Sequence, residues 1–186
     1  MGKSHTAIVA LCVLVGILSG AQAQRPTEYQ VKAAFLFNFA KFVEWPDSVF
    51  EDARAPIVIG VIGNDPFGAD LDQAVKGKIV RDRKLEVRRM PSLEEGETCC
   101  HILFISISES KRLKAIFSAL RHRNVLTVGD MDGFCRNGGA VGFFLSRNKV
   151  RFEINADVVT RSGLKMSSKL LKLARIVTDA RSGERD

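Results

Sequence analysis

Histidine and cysteine are scarce in this chain, which has three histidines and four cysteines among 186 residues. Four cysteines are too few for a fold of this length to depend on a disulfide scaffold. A Gly-x-Ser-x-Gly nucleophile elbow is absent, and no carboxylate-rich motif accompanies a histidine, so the sequence does not indicate a hydrolase. The hydrophobic fraction of 46% and the charged fraction of 26% exclude a disordered, collagenous or multi-span membrane protein.

Two partial motifs lack the residues that would complete them. The spacing from Gly63 to Gly68 is that of a phosphate-binding loop, but no Lys-Ser/Thr pair follows it. Cys99-Cys100-His101 contains metal-binding residue types, but no second Cys/His cluster supplies the remaining ligands. We therefore expect no metal, no cofactor and no catalytic residues, and we interpret the protein as one that is not an enzyme.

The basic charge is dispersed along the chain, whose formal net charge is +7. It lies mainly in two stretches, 81–89 and 147–175, and neither contains an RNA- or DNA-binding motif or an interleaved series of aromatic residues. We therefore expect no nucleic-acid partner. Two interpretations remain open, a solvated basic face and a surface that docks onto an acidic partner or an anionic membrane.

Residues 1–23 have the pattern of a cleaved Sec-type signal peptide. Lys3 precedes the apolar run Ala7–Leu18, and Ala21-Gln22-Ala23 is a small-x-small cleavage site. The apolar run is shorter than the ~20 residues that span a bilayer, and no later segment is long and apolar enough to do so. The sequence therefore predicts an exported, periplasmic protein that is not itself membrane-spanning, in a compartment where disulfides persist.

Strand and helix patterns alternate along residues 24–178, which we interpret as a single domain. The capping box Thr27-x-x-Gln30 predicts a helix as far as Val43, where Pro46 prevents its continuation. The next predicted elements are strand Ile57–Ile62, helix Gly68–Val75, strand Lys84–Arg89, strand His101–Ser106, helix Glu109–Arg121 and strand Val125–Val128. The continuous apolar strands are typical of a sheet that is covered on both faces.

The last third of the chain has a different pattern. Strands Ala140–Leu145 and Lys149–Ile154 flank a turn at Arg147-Asn148 and form a predicted hairpin. A final helix is predicted near Ser168–Thr178, and residues 179–186 are predicted to be a flexible tail. The fold class that follows is α/β, with three layers: a mainly parallel sheet with helices on both faces and a C-terminal antiparallel hairpin.

Small and polar residues follow three of the predicted parallel strands. In such sheets ligands bind at the carboxyl ends of the strands, so these residues form a candidate ligand crevice. They are Gly63, Asn64, Asp65, Ser106, Ser108 and Asp130. Strand-to-helix turns contain the same residue types without any ligand, so the pattern also has a purely structural interpretation.

Three cysteines remain after removal of the signal peptide, namely Cys99, Cys100 and Cys135. A bridge between the adjacent Cys99 and Cys100 would strain the backbone. A bridge from one of them to Cys135 would close a loop of about 36 residues and contribute roughly 4 kcal/mol. The oxidising compartment favours such a bridge, and three reduced, buried thiols are the alternative.

Several segments in order along residues 31–177 resemble the YfiR-like family of exported bacterial proteins. The resemblance is carried by Val31–Pro46, Ile57–Phe67, Cys100–Ser106, Val125–Asp130, Gly138-Gly139, Val150–Asn155 and Gly163–Val177. It implies a periplasmic three-layer α/β regulator that binds the periplasmic domain of an inner-membrane diguanylate cyclase, or a related sensor, and represses it. It further implies a role in cyclic di-GMP and biofilm signalling, disulfide-dependent stability and dimer formation. The alternative function is a periplasmic small-ligand-binding protein without a cyclase partner.

Overall fold

The computed structural model describes residues 25–93 and 100–178. The predicted signal peptide (1–23) and the predicted tail (179–186) lie outside the described residues. None of the helices in the described part of the chain combines the length and the apolar character that crossing a bilayer requires.

The described residues contain five helices and ten strands. The helices are α1 (Glu28–Phe42), α2 (Ala69–Val75), α3 (Leu113–Ala119), α4 (Ala156–Arg161) and α5 (Ser168–Leu171). The strands are β1 (Val43–Glu44), β2 (Ile57–Ile62), β3 (Ile79–Val80), β4 (Arg83–Met90), β5 (Ile102–Ile105), β6 (Leu126–Gly129), β7 (Val141–Ser146), β8 (Lys149–Asn155), β9 (Lys165–Met166) and β10 (Arg175–Val177). Two 3-10 turns cover Asp47–Val49 and Ile107–Arg112.

Helix α1 begins at the predicted capping box. The Thr27 hydroxyl accepts a hydrogen bond from the Gln30 backbone N–H at 3.2 Å, and the Gln30 side chain accepts one from the Thr27 N–H at 3.0 Å. These two bonds satisfy backbone donors that have no partner within the helix. The helix ends at Phe42 because Val43 adopts an extended conformation and pairs with Met166 in a small two-stranded sheet.

Eight strands form one sheet in the order β10-β8-β7-β6-β5-β2-β4-β3. The five strands from β4 through β7 are mutually parallel, β7 and β8 form an antiparallel hairpin, and β10 is parallel to β8. Helices cover both faces of this sheet. The predicted three-layer α/β fold with a mainly parallel sheet and a C-terminal hairpin is confirmed.

The two faces of the sheet carry separate apolar clusters. On the face that we call the α1 face, Leu36 and Phe39 of α1 are fully buried with Ile59, Phe104 and Val128 of the strands. On the opposite face, α3 and the segment after β6 cover the sheet through Ile116, Leu120, Met131 and Phe134. Strands β2 and β5 between them are buried on both sides, which is why they contain only apolar residues and glycine.

Two predicted helices differ from the structure. The segment predicted as one helix from Glu109 to Arg121 begins as a 3-10 turn and becomes α-helical only at Leu113. The predicted helix Ser168–Thr178 is wrong beyond Leu171, because Arg175–Val177 forms strand β10 beside β8. Its apolar spacing reflects contacts of Leu170, Leu171 and Ala174 with the core of the α1 face and not a continuous helix.

Candidate functional site

The carboxyl ends of β2 and β5 meet as the sequence predicts. The Asn64 N–H donates a hydrogen bond to Ser108 Oγ at 3.0 Å, and the Ser106 N–H donates one to the Ile62 carbonyl at 3.1 Å. A Cβ atom added at Gly63 would overlap Ser108 Oγ and would lie 2.9 Å from Glu109 Cγ. The space next to Gly63 is therefore filled by the chain itself.

Asp65 is held in an ion pair instead of facing open space. Its Oδ2 accepts a hydrogen bond from Arg89 Nε at 2.7 Å, and its Oδ1 accepts one from the Phe67 N–H at 2.8 Å. Arg89 also contacts Asp72 of α2 at 2.6 Å. The hydrogen bond from Arg89 lowers the pKa of Asp72, and the two carboxylates together raise the pKa of Arg89. Arg89 thus connects both the turn after β2, through Asp65, and helix α2, through Asp72, to β4.

Asp130 lies under the first turn of α1. Its Oδ2 accepts hydrogen bonds from Lys32 Nζ at 2.6 Å and from the Tyr29 hydroxyl at 3.0 Å. Burial alone would lower the pKa of Lys32, but the hydrogen bonds to Asp130 and Glu28 outweigh it, so that the pKa is raised. Burial and the Asp130 charge raise the pKa of Tyr29. Asp130 and Glu28 therefore keep the buried Lys32 side chain of α1 in its charged form.

The side chains of Asp65, Ser108 and Asp130 are thus bonded to other groups of the chain, Asn64 contributes its backbone N–H, and Ser106 is buried. Ser108 binds a backbone N–H, Asp65 binds Arg89, and Asp130 binds Lys32. None of the six predicted crevice residues lines either of the two cavities described below. A ligand at this edge remains a prediction.

Cys100 and Cys135 are both buried and are not bridged to each other. Cys100 Sγ lies over Gly60 of β2, whereas Cys135 Sγ lies over Gly142 of β7. Because β5 and β6 lie between these strands, the two sites are separated by about 14 Å at the usual strand spacing. The structure therefore does not contain a Cys100–Cys135 bridge, and Cys99 lies outside the described residues. Burial and the nearby Glu153 charge raise the pKa of Cys135 to about 12, which makes this thiol unreactive as folded.

A cavity of about 640 Å³ opens at the opposite edge of the sheet, where the parallel strands begin. We call it the amino-edge cavity. It is lined by Ser48, Val49, Phe50, Glu51, Ala55, Pro56, Val58, Arg88, Cys100, His101, His122, Arg123 and Asn124. Its volume falls within the range of small-molecule sites, and its lining combines apolar side chains with a few polar groups.

His101 is fixed in this cavity by four contacts. Its Nδ1 accepts a hydrogen bond from the Val58 N–H at 3.0 Å, so the neutral ring carries its proton on Nε2. The imidazole stacks on Phe50 with ring centroids 4.6 Å apart, and Arg83 covers Phe50 at 3.7 Å from the ring centroid. Trp45 packs edge-on and donates to the His101 carbonyl at 3.2 Å. Burial and the Arg83 charge lower the pKa of His101 to about 4.

A second cavity, of about 490 Å³, lies beside the first, and His122 lines both. His122 and Asn124 have positive φ angles of 65° and 54°, an arrangement that is uncommon for residues other than glycine. The Asn124 side chain donates to the Ser162 carbonyl at 2.9 Å and joins this turn to α4. The turn between α3 and β6 is thus held in a defined conformation.

The sequence does not reveal the amino-edge cavity. Its arginines come from β4 and from the turn before β6, and both belong to the dispersed basic charge. In the sequence His101 belongs only to an incomplete metal-binding motif and to the start of a predicted strand. The one available signal is the placement of Cys100-His101 directly before a buried strand, since such a position brings a polar ring to the edge of the sheet.

A comparison with family models identifies the class of protein. The model described as YfiR/HmsC-like matches residues 29–175, from the first turn of α1 to the first residue of β10. The chain therefore belongs to the YfiR/HmsC-like family, as its sequence segments indicate. Proteins of this family are periplasmic, non-catalytic regulators associated with cyclic di-GMP signalling.

Solved structures show only a distant likeness. A conserved domain protein from Vibrio cholerae O1 biovar El Tor strain N16961 has a TM-score of 0.47 and 12% identity, with 66% of this chain and 55% of that chain covered. The ABC domain in complex with L-Trp from Streptococcus pneumoniae has a TM-score of 0.46 and 10% identity, with 64% and 56% covered. The chain thus spans little more than half the length of either protein, and neither likeness bears on function.

Proposed function

We propose that the protein is exported to the periplasm, binds the periplasmic domain of an inner-membrane diguanylate cyclase or a related sensor, and represses it. The observation that carries this proposal is the family match, because it covers residues 29–175 and with them nearly every described element. Repression would act by binding alone, since a ligand that prefers one state of its partner shifts the population toward that state.

One end of the sheet offers a surface suited to docking. We define the docking surface as Leu145 of β7, Leu173 of the turn between α5 and β10, and Ile176 of β10, whose exposed fractions are 58%, 69% and 47%. Strand register puts Leu145 and Ile176 on the same face of this end of the sheet, about 13 Å apart along β8, because Leu145 pairs with Val150 and Ile176 lies beside Ile154. Large exposed apolar side chains at one end of a sheet are a feature of interaction sites.

Exposed basic side chains lie in the same part of the chain as the docking surface. The exposed ones are Arg147, Lys149, Arg151 and Lys172. A positive rim increases the rate of encounter with an acidic partner and opposes binding to basic proteins, while the apolar centre contributes most of the affinity. The expected occupant is therefore a partner domain with an apolar centre and an acidic rim. A homodimer, which the family resemblance implies, is a separate proposal that a mass measurement in solution would test.

The second candidate function is a periplasmic small-ligand-binding protein without a cyclase partner. The amino-edge cavity favours it, because its volume of about 640 Å³ is sufficient for a small metabolite. Thermal-shift measurements with periplasmic metabolites distinguish the two functions, since a ligand that binds only the folded protein raises its stability.

A deletion experiment tests the proposed function. Removal of the gene should raise cellular cyclic di-GMP, and the full chain should restore the original level. A version without residues 1–23 serves as the matched control and should fail, because it stays in the cytosol. Deletion of the partner cyclase as well should abolish the rise. Unchanged cyclic di-GMP in the deletion strain, or equal rescue by the leaderless version, would contradict the proposal.

A further inference from the structure

We propose that the β7–β8 hairpin enters a cleft in the periplasmic domain of the partner, and that this cleft has one apolar wall and one acidic wall. The hairpin carries part of the docking surface of the proposed function, on which this inference rests, and the partner is the same membrane protein. What is added is the shape and the charge of the site on the partner. Both follow from the projection of the hairpin and from its two unlike faces.

The hairpin projects past both of its neighbours in the sheet. Strand β7 pairs with β6 only at Val141 and Gly142, and β8 pairs with β10 only from Glu153 onward. In the described part of the chain, residues 143–152 therefore pair only with each other. Ser146 lies four residues beyond Gly142, so the tip extends about 13 Å past the last residue of β6. A narrow projection of this kind fits a concave site.

The two faces of the hairpin differ in chemistry, because side chains alternate along each strand. Phe143 packs on α1, and Leu145, two residues further on, points to the same face and is 58% exposed. Lys149 and Arg151 point to the opposite face, and both are exposed. A flat partner surface covers only one of these faces. A cleft covers both, with an apolar wall against Leu145 and an oppositely charged wall against Lys149 and Arg151.

The basic residues of the hairpin are not neutralised within the described part of the chain. The only acidic residue of β7, β8 and their turn is Glu153, which is bonded to Arg175. None of the described carboxylates forms an ion pair with Arg147, Lys149 or Arg151. Complementary charges across an interface speed encounter and exclude wrong partners. The wall that faces these three cations is therefore expected to carry carboxylates.

The base of the hairpin is braced on both faces. On the α1 face, the ring centroid of Phe152 lies 5.2 Å from that of Phe35 and 5.3 Å from that of Phe39. On the opposite face, the guanidinium carbon of Arg175 lies 4.2 Å from the ring centroid of Phe144. A two-stranded hairpin alone is only marginally stable, so these contacts hold it in shape. Little conformational entropy is then lost when it enters the partner, which favours affinity.

Variants on the two faces test the cleft through cellular cyclic di-GMP. The deletion strain is complemented with the unaltered chain, with Leu145→Asp or with Arg151→Glu. Ile79→Asp and Lys84→Glu are the matched controls, because they make the same changes in charge at the other end of the sheet, where these two exposed residues are paired.

We expect both hairpin variants to leave cyclic di-GMP close to the level of the deletion strain at normal periplasmic protein levels. Leu145→Asp places a charge against an apolar wall, and Arg151→Glu places like charges opposite each other, which lowers affinity by at least about tenfold. Both controls should restore repression. If Arg151→Glu does not accumulate as folded protein, Lys149→Glu on the same face replaces it.

The outcomes separate the cleft from the proposed function. Failure of the unaltered chain to lower cyclic di-GMP would contradict the proposed function, on which the cleft depends. If the unaltered chain represses, full repression by both hairpin variants would overturn the cleft alone. Loss of repression in only one of them would indicate a flat contact and would also overturn it.

Suppressor selection identifies the wall that faces Arg151. Mutations that restore repression to the Arg151→Glu strain are selected and sequenced. We expect replacements of Asp or Glu by Lys or Arg in the periplasmic domain of a membrane cyclase, and these should not rescue Leu145→Asp. Suppressors that map only elsewhere would contradict the acidic wall. Sedimentation of the purified protein with phosphatidylglycerol vesicles, if Arg151→Glu abolished it, would assign the basic face to the bilayer and overturn the proposal.

Discussion

At the scale of single residues, Gly63 shows how tightly the chain fills the carboxyl edge, the edge of the sheet where β2 and β5 end. Its φ angle of 84° lies in the region that favours glycine, and an added Cβ would overlap Ser108 Oγ. Gly77 has a similar φ of 68° but no atom within 4 Å of an added Cβ. Comparing the stability lost on alanine substitution at the two positions therefore separates the free-energy cost of the backbone conformation from that of steric crowding.

We predict that Gly63→Ala is clearly more destabilising than Gly77→Ala. The Gly77 variant should lose about 1 kcal/mol, the cost of a side chain in the left-handed region. The Gly63 variant should lose about 1–3 kcal/mol more than the Gly77 variant, because Ser108 and Glu109 must move. Urea unfolding of both variants measures the difference, and equal losses would show that the edge is open.

His101 gives the protein a defined response to acid. Its pKa is lowered to about 4 in the folded protein, from about 6.5 when unfolded, because the ring is buried and faces Arg83. The unfolded chain therefore binds the proton more readily. The contribution of His101 to stability is complete above pH 6.5 and is lost as the pH falls to 4. Protonation also removes the acceptor of the Val58 N–H.

We predict that His101→Asn reduces this acid sensitivity. Asparagine retains an acceptor close to the position of Nδ1 but does not gain a proton. It should cost about 1 kcal/mol at pH 7.5 through lost stacking on Phe50. The fall in unfolding free energy between pH 6.5 and 4 should then be smaller than in the unaltered protein, by on the order of 2 kcal/mol. Urea unfolding at several pH values tests this, and equal falls in both proteins would contradict it.

At the scale of elements, the attachment of α1 depends on an ion pair that local sequence does not show. Lys32 and Asp130 are 98 positions apart, and Lys32 is only 3% exposed. A lysine on an amphipathic helix is normally expected to face solvent. The burial of Lys32 therefore follows from tertiary contacts alone. The capping box at Thr27, in contrast, is readable from four adjacent residues.

We predict that Lys32→Met lowers the unfolding free energy by about 3 kcal/mol, because it leaves the Asp130 carboxylate buried without its cation. The further substitution Asp130→Leu should recover at least half of this loss, since no charge then remains buried. Lys41→Met on the exposed side of α1 is the control and should change stability by about 0.5 kcal/mol. Denaturant unfolding compares the three variants. A double variant that is less stable than Lys32→Met would contradict the ion-pair account.

The elements that the sequence predicts well are those with a strong local signal. Strands β2, β5 and β6 are continuous apolar runs, and they form where expected to within about a residue at each end. Strand β10 is missed because a three-residue strand is defined only by its pairing with β8. Strands β1 and β9 are missed for the same reason, as each has two residues.

The candidate sites likewise combine features that local sequence predicts with features that only tertiary contacts define. Of the residues predicted to form a crevice, Asn64 and Ser108 are bonded to each other, whereas Asp65 is bonded to Arg89 and Asp130 to Lys32. The contact of Ser108 and Glu109 with Gly63 and that of Lys32 with Asp130 close this edge, and no local pattern contains that information because the partners are distant in sequence. The amino-edge cavity is likewise assembled from segments distant in sequence, so only the folded chain reveals it.

At the scale of the whole molecule, the amino-edge cavity, the closed edge and the docking surface lie apart on the sheet. The amino-edge cavity lies where β2 and β5 begin, and the closed edge lies where they end. The docking surface lies at the β10 end of the sheet order, and the exposed Ile79 of β3 lies at the other end. Variants can therefore alter one surface without changing the others.

The central claim, that the protein represses a membrane cyclase by docking through the β10 end, is tested most directly by one measurement of cellular cyclic di-GMP. The deletion strain is complemented with the unaltered chain, with Leu173→Asp, or with Ile79→Asp as the matched control, whose exposed fraction of 64% is close to the 69% of Leu173. We predict that Leu173→Asp leaves cyclic di-GMP high at normal periplasmic protein levels, whereas Ile79→Asp restores repression. Full repression by Leu173→Asp would contradict the account.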